Sequence, residues 1–380
     1  MKHIKLIIGI IIFIGFIYLA TQNGSVVNDS VQSTGPIKIG FIGPLTGDAA
    51  AYGEPFQMAA KLAVKQINEE GGINGDQLEV VYEDGACNGS DSVNAMNKLV
   101  NVDDVNVVLG FLCSTEALSA EPIGTQSQIM MIGMGSSPDL SGVSDYFVRT
   151  YPSDAKQGEV LADMAYNGEG WRKVAIIQEQ TDYALGLNRA FSEPFGNLGG
   201  EIIREEYSSD VTDFKTIISK LKAEEPDALF IVSQTPASGE VILKQSQELN
   251  WDTRFIVSDA FNDATMLENH KAALEGALIS QFELDESNTQ LAQFVEEYQA
   301  EYDLEPAFLS FSAIMYDSTR MLADGLREFR DNPEELKTWF REVENWMGTS
   351  GVIDIQENGD RASGHTAQII KDGKVVPYDK

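Results

Sequence analysis

The chain has 380 residues, enough for about two domains at roughly 150 residues each. Its hydrophobic fraction of 43% and charged fraction of 23% are those of a globular protein with a buried core. Acidic residues outnumber basic ones 59 to 27, a formal net charge of −32, and such a surface repels nucleic acid and anionic lipid.

The chain opens on Met1-Lys2-His3-Ile4-Lys5, followed by fifteen largely apolar residues from Leu6 to Ala20. A basic start and a short apolar core form the pattern of a secretory signal. The run is shorter than the ~20 residues of a spanning helix. Tyr18 is a poor −3 residue for cleavage before Thr21, and no cysteine follows for lipid attachment. Residues 1–20 therefore read as a signal peptide or a retained N-terminal anchor. Either one puts the remainder outside the cytoplasm. Residues 21–36 are polar and small, the composition of a flexible linker.

From Ile37 onward, short β-rich runs alternate with amphipathic helices. Strand 37–42 is closed by Gly43-Pro44, and Phe56, Ala59, Ala60, Ala63, Val64 and Ile67 then share one helical face. Gly71-Gly72 stops that helix. Strand 78–82, helix 92–100, strand 105–111, helix 115–126 and strand 129–132 follow. This order predicts a parallel sheet with right-handed crossovers. A second cycle begins after Tyr151-Pro152, with helix 157–166, strand 173–178, helix 184–195 and strand 200–207. It continues with helix 213–223, strand 228–232, helix 239–249 and strand 254–257. Beyond it lie a strand at 278–282, returning toward the first lobe, and helices 289–302, 308–329 and 333–345. An antiparallel tail over 351–355, 366–371 and 374–377 turns at Asp372-Gly373. The expected fold is α/β, with two doubly wound parallel-sheet lobes joined by a multi-strand hinge. Residues 37–152 and 283–348 would form the N-terminal lobe, and 153–282 and 349–380 the C-terminal lobe. A ligand would bind where the two sheet edges face one another.

Catalytic signatures are missing. The three histidines, His3, His270 and His365, have no metal-ligand spacing. No phosphate-binding loop, no Gly-x-Gly-x-x-Gly after the first strand and no Gly-x-Ser-x-Gly is present. Nothing argues for an enzyme, a metal or a cofactor.

The strand ends carry the informative residues. Cys87 and Cys113, the only cysteines, each follow a strand, so on one sheet edge they could form a disulfide; two unpaired buried thiols are the alternative. Ser114 and Thr115 follow the third strand, and Gly133-Met134-Gly135-Ser136-Ser137-Pro138 follows the fourth. Hydroxyls and free amides at helix starts suit a carboxylate, or simply cap the helices. In the second cycle Tyr183 starts a helix and Asp259 ends a strand. An acid opposite the serines suits an ammonium, although a helix cap would use the same residue. Tyr52 and Tyr183 fit ordinary partial burial as well as a pocket wall. Anion donors on one lobe with an acid on the other say more together than any one of them alone.

At these residues the chain resembles the leucine/isoleucine/valine-binding protein family, the type I periplasmic solute-binding proteins of ABC transporters. The resemblance runs through Ile39-Gly40-Phe41-Ile42-Gly43-Pro44-Leu45-Thr46-Gly47, Tyr52-Gly53 and Ala63 to Asp76. It continues in Tyr82-Glu83-Asp84-Gly85-Ala86-Cys87, Gly110-Phe111-Leu112-Cys113-Ser114 and Tyr183-Ala184-Leu185-Gly186-Leu187, and covers nearly all of 37–380. It implies a Cys87–Cys113 disulfide and a pocket lined by Leu112, Cys113 and Ser114, with Ser114 on the ligand carboxylate. Gly135 with Ser137 or Ser136 would complete the contacts to the α-amino and α-carboxyl groups. Tyr52 and Tyr183 would wall the side-chain pocket, and Asp259 would take the ammonium. Asp259 stands where the family often has Glu, and Gln234 stands at an aromatic position, exchanging an apolar wall for an amide. The resemblance further implies an extracytoplasmic monomer that binds an amino acid, of branched-chain type or related, and delivers it to ABC permease subunits. The ligand stays open among amino acids, amides, urea and aromatic acids. A sensory ectodomain that signals through a partner is the alternative role.

Overall fold

The computed structural model describes residues 35–47 and 49–379. The leader at 1–20 and nearly all of the linker lie outside them. Among the described residues no helix is long and apolar enough to cross a membrane.

The first half is built on β1 (Ile37–Gly43), β2 (Leu78–Asp84), β3 (Val107–Gly110), β4 (Met130–Gly133) and β5 (Phe147–Arg149), in the order β2-β1-β3-β4-β5. Every pairing is parallel. Strands covered on both faces must be apolar on both, and β1, β3 and β4 are buried almost throughout. Helices α1 (Ala50–Glu69), α2 (Gly89–Asn101) and α3 (Ser114–Gln126) make the crossovers. The face expected on α1 is the buried one: Phe56, Ala59, Ala60, Ala63 and Ile67 are all in the core, while Val64 is half-buried.

The second half begins with α4 (Asp154–Asp163), β6 (Lys173–Glu179), α5 (Asp182–Asn197) and β7 (Glu201–Tyr207). It goes on through α6 (Lys215–Ala223), β8 (Ala228–Val232), α7 (Pro236–Glu248) and β9 (Arg254–Val257). Two short helices, α8 (Ala264–Asn269) and α9 (Lys271–Leu274), lead to β10 (Leu278–Gln281). The 278–282 strand therefore pairs inside the second sheet, parallel to β9, and only Phe282 after it joins the first core.

The chain then returns to the first half as α10 (Thr289–Tyr302), α11 (Leu309–Phe329), α12 (Pro333–Arg341) and the ribbon β11 (Trp346–Gly348) with β12 (Gly351–Ile353). Last come β13 (Thr366–Lys371) and β14 (Lys374–Pro377), antiparallel additions that complete the order β14-β13-β10-β9-β8-β6-β7. Ile353 and Ile355 pack into the first core, so the last crossing between halves follows Ile355 rather than residue 349. The halves are joined three times, after β5, after β10 and ahead of β13. In each sheet the order reverses beside the first strand of its cycle, which opens a crevice at the carboxyl ends of the strands.

Candidate ligand-binding site

A cavity of ≈ 50 Å³ lies between those carboxyl edges. The first half contributes Tyr52 on α1, Leu112, Cys113 and Ser114 after β3, Met134 and Ser136 after β4, and Phe311 on α11. The second contributes Tyr183 on α5, Gln234 after β8, and Asp259 and Ala260 after β9. Residues from segments far apart in sequence thus meet as strand-end neighbours.

The turn after β3 needs glycine. Gly110 has φ +122°, and a Cβ there would sit 2.1 Å from the Ile42 carbonyl oxygen. This turn delivers Cys113, which is bonded to Cys87 with the two Cα atoms 5.4 Å apart. Glu116, fully buried on the first turn of α3, accepts the backbone N–H of Cys87 at 3.1 Å and of Cys113 at 3.2 Å. One carboxyl so holds both ends of the staple. Burial pushes its pKa up to about 7 against the pull of those two donors.

Ser114 Oγ accepts the Ser137 N–H at 3.0 Å, which leaves the hydroxyl proton free to donate. Ser136 lines the cavity and donates its hydroxyl to Asp154 at 2.8 Å. Gly135 and Ser137 do not line the cavity. Ser137 caps the short turn Pro138–Leu140, and the fully buried Arg149 guanidinium gathers the carbonyls of Ser136 (3.0 Å) and Ser137 (2.8 Å) while pairing with Asp360 at 2.7 Å. These two residues support the wall from behind.

Asp259 is the pole of the opposite wall. Its carboxyl accepts the Tyr151 hydroxyl at 2.7 Å and the Tyr183 hydroxyl at 3.3 Å. Among the described residues no cationic side chain pairs with it. Burial raises its pKa, and the two tyrosine hydroxyls oppose that rise. The nearby Asp154 is also raised, first by burial and then by the charge of Asp259.

Contacts across the mouth hold the halves together. Asp182 N–H donates to Thr115 Oγ1 at 3.3 Å, and Arg189 pairs with Asp139 at 2.5 Å. Gly186 on α5 abuts the Ser137-Pro138 turn so closely that a Cβ would lie 2.5 Å from Ser137 Oγ.

Phe311, Met134, Ala260, Tyr151, Glu116 and Asp154 were absent from the sequence-derived set. Met134 stood inside the Gly133–Pro138 turn that drew attention to its neighbours. Phe311 falls inside the expected helix 308–329 with nothing to mark it, and Tyr151 precedes the proline that opens the second cycle. Tyr151 stacks on Phe311 with ring centroids 4.8 Å apart, a contact between segments that only the fold brings together.

The sequence profile of the Periplasmic binding protein family matches residues 36–371. The chain belongs to this family. It is 26% identical over 332 residues to the leucine-specific-binding protein of Salmonella typhimurium, covering 86% of this chain and 88% of that one. The crystal structure of a leucine binding protein from Thermotoga maritima superposes with a TM-score of 0.81 at 27% identity, covering 90% of this chain and 98% of that chain. A solute binding protein of an ABC transporter from Rhodopseudomonas palustris, in complex with 3,4-dihydroxy benzoic acid, superposes with a TM-score of 0.77 at 25% identity. That match covers 90% of this chain and 95% of the other. The fold is the type I periplasmic binding protein fold, and the family comprises extracytoplasmic solute-binding proteins of ABC transporters.

Proposed function

We propose that this protein binds a zwitterionic α-amino acid between its two halves and passes it to the permease of an ABC importer. Asp259 carries the reading: a buried carboxyl, fixed by two tyrosine hydroxyls and without a cationic partner among the described residues, faces the same cavity as the Ser114 hydroxyl at the start of α3. A ligand ammonium supplies the missing charge, and its carboxylate takes the hydroxyl and the amides at the helix start. An aromatic carboxylate such as that held by the Rhodopseudomonas palustris relative would bring only a second negative charge beside Asp259. Binding and release, rather than turnover, is the expected cycle. Residues 1–20 would direct export or anchor the protein at the outer face of the cell membrane, and the monomer would meet the permease subunits there.

Calorimetric titration of the purified protein tests this. Free amino acids should bind with micromolar or tighter affinity and raise the melting temperature, while benzoates should not. Asp259→Asn should weaken amino-acid binding by about 2–5 kcal/mol, the usual loss when one partner of a buried charge pair is removed. Equal affinity in the variant would remove the ammonium role, and tighter binding of benzoates would reverse the ligand class. A sensory role would show instead as capture of a signalling partner in place of a permease.

A further inference from the structure

Two residues of the cavity wall each bury a polar atom that has no hydrogen-bond partner among the described residues. They are the Tyr52 hydroxyl and the Gln234 side-chain carbonyl. Both are held in place. The Tyr52 ring packs on Phe308 with centroids 4.4 Å apart, and the Gln234 backbone N–H donates to the buried Glu179 carboxyl at 2.8 Å. Burial and the charges of Asp259 and Asp263 push the Tyr52 phenol well above its ordinary range, so it stays protonated and is a donor. The Gln234 oxygen is an acceptor. The rest of the ligand-facing wall includes the apolar Leu112, Met134 and Phe311.

A buried donor or acceptor left unmatched weakens an equilibrium by roughly five- to a hundredfold. A branched aliphatic side chain in this cavity would leave both atoms unmatched. A hydroxyl can both accept, as the Tyr52 donor requires, and donate, as the Gln234 oxygen requires. A carboxamide can do the same with its carbonyl and its NH₂ group, and a hydroxyl also suits the Gln234 amide turned the other way.

We infer that the amino acid this site selects carries a hydroxyl or a carboxamide on its side chain, and that Tyr52 and Gln234 are the residues that read it. The inference rests on the amino-acid reading above and narrows it. Asp259 and Ser114 recognise what every α-amino acid shares, and the second pair recognises what distinguishes one from another. A site built around hydrogen-bonding groups rejects the analogue that lacks them, whereas an apolar pocket scarcely rejects an added hydroxyl.

Two pairs of near-isosteric amino acids test it by calorimetry on the wild-type protein: threonine against valine, and asparagine against leucine. The polar member should bind at least tenfold more tightly in one pair or both. Gln234→Leu, and separately Tyr52→Phe, which removes one oxygen and keeps the ring, should each shrink that ratio. Aliphatic members binding as well as or better than their polar partners in both pairs would overturn the inference and leave the amino-acid reading intact. Binding of none of the common amino acids would overturn that reading, and this inference with it.

Discussion

Glu116 shows how one buried side chain can set both the shape and the pH response of the site. It is fully buried at the start of α3 and ties down the amides of both half-cystines. Burial moves its pKa from 4.5 to about 7. The unfolded chain releases this proton near pH 4.5, while the folded chain holds it to about pH 7. Between those values the folded state binds more protons, so rising pH favours unfolding through the window, and the loss is complete above it. A shift of that size corresponds to roughly 3 kcal/mol. Glu116→Gln is neutral at every pH and lacks this dependence, although it gives up one acceptor. The stability of the wild type relative to the variant should therefore be greatest near pH 4 and fall by about 3 kcal/mol by pH 8. Denaturant unfolding of both proteins across that range measures it. A difference that stays flat would mean that the carboxyl titrates normally.

At the scale of elements, the disulfide joins the turn after β2 to the N-cap of α3, across 26 positions of chain. A closed loop of that size stabilises by roughly 3 kcal/mol in the chain-entropy account. The double change Cys87→Ser with Cys113→Ser should lose about that much, read as a lower denaturant midpoint with an unchanged slope. A loss below about 1 kcal/mol would show that Glu116 and the β-sheet already hold this turn without the bridge. The elements on either side of the bridge were legible in the sequence for a physical reason. Parallel strands buried on both faces leave unbroken apolar runs, and β8, β9 and α10 match the expected segments end to end. The expected segments missed β5 and β11, because three residues carry no measurable period. Capping residues start helices ahead of their apolar periodicity: α4 begins at Asp154, three residues before the expected start, because the Ser153 hydroxyl accepts the Ala155 N–H. Within the site, Ser114 and Asp259 were legible because polar residues at strand ends are conspicuous against apolar runs. Phe311 and Tyr151 were not, because their chemistry is ordinary and only the three crossings between halves bring them to the cavity. Glu116 was hidden for the opposite reason: acids in the first turn of a helix are common, and nothing in the sequence marks this one as buried.

For the whole molecule, the question is how the halves come together over a ligand. Here they touch along α5, whose Gly186 lies against Ser137 and Pro138, with the Thr115–Asp182 hydrogen bond and the Arg189–Asp139 pair beside it. The ion pair is about half exposed on both sides and contributes little by itself. The close approach at Gly186 is steric, and it cannot be relaxed by solvent. Any larger side chain there must push α5 away from the first half, and Tyr183, one turn earlier on the same helix, would carry its hydroxyl away from Asp259. Each half keeps its own core on either side of this seam, so the substitution leaves the packing inside the halves untouched. Gly186→Leu is therefore expected to leave the melting temperature of the ligand-free protein within a few degrees of wild type while weakening amino-acid affinity at least tenfold, a cost of about 1.4 kcal/mol or more. Small-angle scattering should show a larger radius of gyration for the variant at saturating ligand than for the wild type. Wild-type affinity in Gly186→Leu would mean that the ligand is held without this contact, and that the closed seam is not part of the binding state.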